Sequence, residues 1–263
     1  MAVKIVTDSS ADLPAQLVDE LGITVVPLYV RFGEKVYRDR LDISGDEFYQ
    51  RLQYDPVHPS TTQPSPQDFA NVYQKLLSEA DGIVSIHLSA KLSGTCNSAL
   101  QAKEMIGEGC PVEVIDSRTL TMGLGMISIA AAKVANAGGS MEQVMEETTQ
   151  MIPRIRLLFI LDTLKYLALG GRIGKAKALL GSVLNVKPML AIKEGEVIPS
   201  GQVRSRSKGI ERLFDFVYGA SNIQDLAIIY NTTPEEAQIL TERIAPIFAK
   251  EKAMIARLGP LLG

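Results

Sequence analysis

The sequence predicts a two-domain α/β protein, with a parallel doubly wound N-terminal sheet and a C-terminal domain of mixed α+β structure. Short apolar runs alternate with longer helical patterns up to residue 150, which is typical of parallel strands joined by helices. Polar residues cluster where several of these runs end. From Ile155 the elements become shorter and include a hairpin pattern, so we expect the domains to span 1–152 and 153–263.

The stretch 82–99 predicts a strand, a hydroxyl-rich loop and the first turn of a helix. Its apolar run 83–88 is typical of a strand that is covered on both faces. Ser89, Ser93 and Thr95 follow at the point where the helix begins. Because the first N–H groups of a helix lack internal partners, we expect hydroxyls there to form a cup for an anion or a carboxyl group. The alternative interpretation is that Ser93 only caps the helix.

The other N-terminal elements keep the order of strand, then helix. Pro27 inside the second strand predicts an edge position or a bend. The proline-rich stretch 55–66 predicts a long, stiff loop with hydroxyls at Ser60, Thr61 and Thr62, which is either functional or an extended linker. The predicted strands are 3–6, 23–30 and 112–115, and the predicted helices are 14–22, 44–52, 66–77, 95–106, 122–137 and one that follows Ser140.

The C-terminal elements alternate less regularly than those before them. Glu194-Gly195 between two β-rich runs is typical of an antiparallel hairpin. Gly170-Gly171 predicts the end of a helix, and a basic residue, Arg172, follows it. The predicted strands are 157–161, 188–193, 197–198 and 226–230, and the predicted helices are 162–169, 172–184, 207–218 and 234–249.

Composition argues against several classes of function. The net charge of −3 disfavours a nucleic-acid partner, because phosphates call for a basic face. Cys96 and Cys110 stand too far apart for a zinc or dithiol motif and fit a reducing compartment. No signal-peptide pattern opens the chain, and the uncharged run 119–132 is shorter than the roughly 20 residues of a membrane span. We expect a cytoplasmic protein without a transmembrane segment, which leaves room for transient contact with a membrane surface.

The motifs of common enzyme classes are incomplete. At Gly174 the preceding glycine of a phosphate-binding loop is replaced by Leu169. The pair Gly123-x-Gly125 lacks the third glycine of a dinucleotide fingerprint. Ser93 does not lie in the Gly-x-Ser-x-Gly pattern of a nucleophile elbow.

Two enzymatic hypotheses stay open. A hydrolase would pair Ser93 with His87, and a phosphotransferase would hold a magnesium ion with the strand-end aspartates Asp8, Asp12 and Asp116. Lone histidines and strand-end aspartates are more often structural. We therefore expect no metal site, and we expect substitution of His87 to have little effect on ligand binding.

Six short motifs occur in one order along nearly the whole chain. They are Thr7-Asp8-Ser9, Ser60-Thr-Thr-Gln-Pro-Ser65, Ser89-Ala-Lys-Leu-Ser-Gly-Thr95 with Asn97-Ser-Ala behind it, Asp116-Ser117, Tyr166-Leu-Ala-Leu-Gly-Gly-Arg-Ile173 and Lys187-Pro-Met-Leu190. In these motifs the sequence resembles the DegV family, the fatty-acid-binding proteins that act as acyl-carrier subunits of bacterial fatty-acid kinase. The resemblance implies the DegV-like two-domain fold, with a fatty acid between or within the domains.

The resemblance also implies a function and a site. The protein would be a non-catalytic carrier without a cofactor, which holds palmitate, stearate or oleate in an apolar tunnel and presents the carboxyl group to a kinase catalytic subunit for acyl-phosphate formation. That carboxyl group would be bound by Thr61 or Thr62 and by Ser93, with the backbone of Gly94 contributing. Arg172 would lie near the head group.

One family element does not occur within these 263 residues, either because the sequence stops before it or because the protein lacks that part of the site. Family members usually continue past the last strand into a His-x-Gly-Pro-Gly element whose His joins the head-group network, whereas this sequence ends at Gly259-Pro-Leu-Leu-Gly263. The chain length of the lipid, the oligomeric state and the physiological partner are not predicted. A hydrolase, a phosphotransferase and a structural interaction module with an ordinary core remain the alternatives to a lipid carrier.

Overall fold

The computed structural model describes residues 2–107, 111–180 and 186–260. They form two compact units: unit 1 runs to Ile155 and also includes Gly259 and Pro260, and unit 2 spans Arg156–Leu258. The chain therefore leaves unit 1 once and returns to it near its C-terminus. The boundary that the sequence suggests, at 152/153, lies close to the break after Ile155.

Unit 1 contains a parallel sheet, a second small sheet and six α-helices among the described residues. In chain order its elements are β1 (Val3–Asp8), α1 (Ala15–Leu21), β2 (Thr24–Val26), β3 (Tyr29–Phe32), β4 (Lys35–Arg38), α2 (Gly45–Tyr54), β5 (Ser60–Thr62), α3 (Pro66–Leu77), β6 (Gly82–His87), α4 (Thr95–Ile106), β7 (Val112–Asp116), α5 (Thr121–Asn136) and α6 (Met141–Met151).

The main sheet of unit 1 has four parallel strands in the order β2-β1-β6-β7. Helices α3 and α4 pack on one face and α5 and α6 on the other, so the two central strands are buried almost throughout. Phe69 and Tyr73 of α3 pack against Val6 and Ile83 of the central strands in one apolar cluster. The predicted doubly wound parallel sheet is confirmed.

Between β2 and β6 the chain forms a separate antiparallel sheet, in the order β4-β3-β5, which is not hydrogen-bonded to the main sheet. Its Val30 and Phe32 pack with Phe48 and Tyr49 of α2. The prediction of one strand over 23–30 was wrong, because the chain leaves the main sheet after β2 and enters the small sheet as β3. The expected edge position was right, since β2 is the edge strand and Pro27 follows it directly.

Unit 2 combines two sheets with helices, as a mixed α+β unit. Its elements are β8 (Leu158–Ile160), α7 (Lys165–Leu169), β9 (Lys187–Lys193), β10 (Glu196–Val203), α8 (Arg206–Tyr218), β11 (Ala227–Tyr230), α9 (Pro234–Ile244) and β12 (Met254–Arg257). Strands β10, β9 and β8 form an antiparallel sheet in that order, and β11 pairs with β12 in parallel. The predicted hairpin around Glu194 is confirmed, and Glu194 itself adopts a positive φ of 51°.

Two helix predictions in unit 2 were wrong. The helix expected over 172–184 is a 3-10 turn at Gly174–Leu179, and Leu180 is already extended. Residues 181–184 of that prediction lie outside the described residues. The helix expected over 234–249 ends at Ile244, before the missed strand β12.

Candidate functional site

The loop between β6 and α4, here the Leu-Ser-Gly loop (Ser89–Gly94), has a firmly held backbone. The Ser89 N–H donates to the Thr119 carbonyl over 2.9 Å, and the Ser89 carbonyl accepts the Ser93 N–H over 3.2 Å. The Ala90 N–H donates to Oδ1 of Asp116 over 3.2 Å. These bonds tie the loop to the end of β7 and fix where it enters the helix.

Ser93 lies one position before the helix cap. The N-cap of α4 is Gly94, which has no side chain to cap the helix, so Ser93 is not the N-cap that the simplest interpretation predicts. The Ser93 hydroxyl accepts the Thr95 N–H over 3.3 Å and shares a hydrogen bond with the Thr95 hydroxyl over 2.9 Å. When Thr95 is the donor in that pair, the Ser93 proton remains available to an anion.

The Thr-Thr-Gln-Pro segment (Thr61–Pro64) is not only a loop, because its first two residues belong to β5. Thr61 pairs with Val30 and Thr62 pairs with Tyr29 across the small sheet. Successive side chains of a strand point to opposite faces, so the two threonine hydroxyls do not face the same way. Neither hydroxyl makes a hydrogen bond within the described part of the chain.

Gln63 brings the two segments together. A Cβ atom added to Gly94 would lie 2.9 Å from Nε2 and 3.2 Å from Cδ of Gln63, so the Gln63 side chain packs directly on the Gly94 backbone. The hydroxyl-bearing residues on either side of this contact therefore belong to one region of unit 1. Sequence reasoning missed Gln63, although it stands directly after the two predicted threonines.

The far end of the Thr-Thr-Gln-Pro segment is fixed by Asp68 of α3. Its Oδ2 accepts the Ser65 N–H over 2.8 Å and the Ser65 hydroxyl over 2.7 Å, which completes a capping box. The Tyr29 hydroxyl donates to the same oxygen over 3.1 Å. The segment is thus held at both of its ends, by β3 and by the start of α3.

Arg172 lies in unit 2, just after the end of α7. Its Nη1 donates to the carbonyl of Gly170 over 2.7 Å, and its N–H donates to the carbonyl of Leu167 over 2.9 Å. Gly171 between them has a φ of 73°, as expected for the glycine that ends a helix. A role of Arg172 at a head group stays a prediction.

His87 does not pair with Ser93. Its Nε2 lies 2.7 Å from the Ser85 hydroxyl and its Nδ1 lies 3.0 Å from Oδ2 of Asp8, and the histidine side chain is completely buried. Both ring nitrogens therefore have partners inside the core. The geometry gives no support to a hydrolase that would use Ser93 and His87.

The strand-end aspartates do not form one site. Asp8 bonds to His87, and Asp12 accepts from Arg40 and Thr121. Asp116 accepts the backbone N–H groups of Ala90 and Arg118. Within residues 2–107, 111–180 and 186–260, no three His, Cys, Asp or Glu side chains are grouped so that they could hold a metal ion.

Burial raises the pKa of three groups in unit 1. Desolvation raises the pKa of Asp12 to about 7, against the opposing charge of Arg40. Desolvation likewise raises the pKa of Asp39, which is opposed mainly by a hydrogen bond from Ser9. Desolvation also raises the pKa of the Cys96 thiol to about 11, so this thiol is not a reactive nucleophile at neutral pH.

The fold and these segments define an α/β protein whose candidate ligand site lies at the carboxyl ends of its parallel strands, where such sheets bind ligands. The site offers hydroxyls, an uncapped helix N-terminus and an amide side chain. No helix in the described ranges is both long and apolar enough to cross a bilayer.

The chain belongs to the DegV family: a family model described as "Uncharacterised protein, DegV family" matches residues 2–263. A DegV domain-containing protein of Deinococcus radiodurans is 39% identical over 236 residues, which are 87% of this chain and 83% of the relative.

Two solved structures show the same fold. A DegV family protein of Thermus thermophilus, described by its fatty-acid binding, is 37% identical with a TM-score of 0.90 over 99% of this chain and 94% of its own. A stearic-acid-binding protein of Eubacterium ventriosum is 28% identical with a TM-score of 0.88 over 98% of this chain and 92% of its own.

Proposed function

We propose that this chain is a non-catalytic carrier that binds one long-chain fatty acid and offers the carboxyl group to a partner kinase. The observation that carries the proposal is the packing of Gln63 on Gly94, which joins the Thr-Thr-Gln-Pro segment to the Leu-Ser-Gly loop. The similar proteins of Thermus thermophilus and Eubacterium ventriosum, which are described as fatty-acid and stearic-acid binders, support it.

The head-group site consists of one hydroxyl from the pair Thr61 and Thr62, the Ser93 hydroxyl and the backbone at Gly94. A carboxylate placed there would accept the Ser93 proton and meet the positive end of the α4 dipole. Neutral hydroxyls bind either protonation state of a carboxyl group without a buried ion pair. A role of Arg172 near the head group, which the family resemblance implies, stays a prediction.

The acyl chain supplies most of the affinity. Burial of about 16 carbons at ~0.8 kcal/mol per CH₂ gives on the order of 10 kcal/mol before the losses of ligand freedom. The hydroxyls then need only to orient the carboxyl group. A carboxyl group held by neutral hydroxyls is accessible to a second protein, which in our proposal is a cytoplasmic kinase that converts it to an acyl phosphate.

Solvent extraction of the purified protein, followed by mass spectrometry, tests the binding directly. We expect one equivalent of a C16 or C18 fatty acid such as palmitate, stearate or oleate. A protein that is empty after purification and also fails to bind added palmitate and oleate in a calorimeter would refute the proposal.

Alanine variants test the head-group site. Ser93→Ala should weaken palmitate binding about tenfold, because the loss of one hydrogen bond costs about 1.4 kcal/mol, which is a factor of about ten in affinity. Since β5 turns its two threonines to opposite faces, only one of Thr61→Ala and Thr62→Ala should show a similar loss. Thr149→Ala is the matched control, because this exposed α6 hydroxyl bonds only to the Met145 carbonyl. Equal affinities for all four variants and the wild type would contradict this assignment.

The kinase step has its own test. The loaded protein is mixed with a bacterial fatty-acid kinase catalytic subunit and ATP, and hydroxylamine traps any acyl phosphate. The wild type should give the hydroxamate, and the Ser93→Ala variant should give less. If the protein binds fatty acid but no hydroxamate forms, the carrier function would stand and the kinase step would be refuted.

A further inference from the structure

A chain of four buried side chains runs beneath the Leu-Ser-Gly loop. The Tyr73 hydroxyl donates to the Ser85 hydroxyl over 2.7 Å, Ser85 lies 2.7 Å from Nε2 of His87, and Nδ1 of His87 lies 3.0 Å from Oδ2 of Asp8. All four side chains have no measurable exposure. We call these four side chains (Tyr73, Ser85, His87 and Asp8) the relay. None of them belongs to the proposed carboxyl site.

The positions of the protons in the relay follow from its contacts. If Nε2 of His87 carried the only ring proton, a bare Nδ1 lone pair would face the Asp8 carboxylate 3.0 Å away, which is repulsive. Nδ1 therefore carries a proton and donates to Asp8. Nε2 then accepts the Ser85 proton, which is free for it because Tyr73 donates to Ser85.

Asp8 connects His87 to the backbone at the start of the Leu-Ser-Gly loop. Its Oδ2 accepts both the His87 Nδ1 proton and the Leu88 N–H, the latter over 3.1 Å. Leu88 is the first residue after β6, and the carbonyl of the next residue, Ser89, accepts the Ser93 N–H. His87, Asp8, Leu88 and Ser93 are thus linked in an unbroken series of contacts.

We propose that His87 is a positioning residue of the carboxyl site: it orients Asp8, and Asp8 holds the Leu88 N–H and, through the loop, the Ser93 hydroxyl. This inference rests on the proposed function. It also reverses the expectation that changes at His87 have little effect on binding. A histidine that only filled space in the core would need no particular ring nitrogen, whereas this role needs the donor at Nδ1.

The wild-type protein gives the first test. Long-range ¹H–¹⁵N spectra of the His87 ring identify which nitrogen carries a proton. We expect a proton on Nδ1. A ring protonated on Nε2 alone cannot donate to Asp8 and would overturn the proposal without any variant.

A matched pair of amides gives the second test. His87→Asn places an amide N–H near the position of Nδ1 and so keeps the donor to Asp8. His87→Gln places it near the position of Nε2 and loses that donor. Both variants keep a buried amide, and both give up one contact of the histidine ring.

The measured quantity is the affinity for hexadecanoic acid divided by that for hexadecan-1-ol, which has the same chain but no carboxyl group. Partial unfolding lowers both affinities equally and cancels in this ratio. His87→Gln should lower the ratio about tenfold, as for one lost hydrogen bond, and His87→Asn should leave it within about twofold of the wild type. Equal ratios for the two variants would overturn the positioning role.

The outcomes separate this inference from the proposed function. If the wild type binds neither ligand, the carrier proposal has failed. The ring spectrum then still shows whether Nδ1 of His87 carries the proton that the relay requires. A wild type that prefers the acid, with both variants unchanged, means that only the role of His87 has failed.

Discussion

Two buried aspartates, Asp8 and Asp12, flank one 3-10 turn, Ser9–Ala11, and differ in the hydrogen bonds that they accept. Asp8 receives hydrogen bonds from Ser10 at Oδ1 and from His87 and Leu88 at Oδ2, and two of these donors are backbone N–H groups. Asp12 receives one bond at each oxygen, from Arg40 and from Thr121, and no described backbone N–H donates to it. Asp8 is completely buried and Asp12 is 3% exposed.

The surroundings of Asp12 are also strained. Asp12, Arg40 and Thr121 all have positive φ values, of 53°, 64° and 48°, and for the β-branched Thr121 this is a rare conformation. Such backbone costs on the order of 1–3 kcal/mol for each residue. With one guanidinium and one hydroxyl as donors, desolvation still raises the pKa of Asp12 to about 7. The comparison teaches that two similarly buried carboxylates can differ widely in the number and type of the donors that hold them.

The same substitution at the two positions should therefore have opposite results, and the largest effect is expected at Asp8. In Asp8→Asn the amide NH₂ must replace one oxygen, and either choice turns it against a backbone N–H, of Ser10 or of Leu88. We expect the free energy of unfolding in urea to fall by about 5 kcal/mol, as when a buried charged group loses its partners. A loss below about 1 kcal/mol would show that the four donors are not satisfied by Asp8.

Asp12→Asn should instead stabilise the protein at alkaline pH. The Thr121 hydroxyl can turn to accept from the new NH₂, while the amide oxygen still accepts from Arg40. The folded-state pKa of Asp12 lies above its unfolded value of 3.8, so as pH rises the unfolded chain releases its proton first and stability falls. This loss occurs between about pH 4 and pH 7 and is complete above the folded-state pKa.

The size of this effect follows from the difference between the pKa of Asp12 in the folded protein, about 7, and its value of 3.8 in the unfolded chain. The wild type should lose on the order of 4 kcal/mol relative to Asp12→Asn between pH 4 and pH 8. Urea unfolding of both proteins across this range measures the difference. Parallel pH profiles for the two proteins would contradict the raised pKa of Asp12.

A third change tests how tightly Asp12 is enclosed. A Cβ atom at Gly259 would lie 2.6 Å from Oδ1 of Asp12, and Arg40 and Thr121 leave that carboxylate little freedom to move. Gly259→Ala should destabilise the protein by about 2 kcal/mol, within the range for overpacking. In an Asp12→Ala background the same change should cost much less. An unchanged cost in that background would place the clash elsewhere.

The elements that sequence predicted well are those set by neighbouring residues. Helices α3 and α6 begin directly after Ser65 and Ser140, as predicted, and most of the apolar run 83–88 lies in the buried strand β6. The edge position of the strand before Pro27 followed from the proline ring and its missing N–H. Each of these signals lies within a few residues of the structure it specifies.

The candidate site could be predicted only in part, because its geometry depends on contacts between distant residues. The hydroxyls of the two segments were identified, but β5 was missed since its pairing with β3 spans 31 positions, from Val30 to Thr61. The packing of Gln63 on Gly94 has no local signal at all. The bond between His87 and Asp8 joins residues 79 positions apart, and spacing alone instead suggested a pairing of His87 with Ser93.

The smallest expected effect concerns the far end of the relay that supports Asp8. Tyr73→Phe removes the donor to Ser85 but keeps the ring against Phe69, so we expect a loss of about 1 kcal/mol in unfolding free energy. Ser85 keeps its own proton and can still donate to Nε2 of His87, which leaves the Nδ1 donor to Asp8 in place. The ratio of acid to alcohol affinity should therefore equal that of the wild type. A fall in that ratio would mean that the surroundings of Asp8 act as one cooperative unit from Tyr73 onward, so that Asp8 differs from Asp12 in the reach of its network as well as in its number of donors.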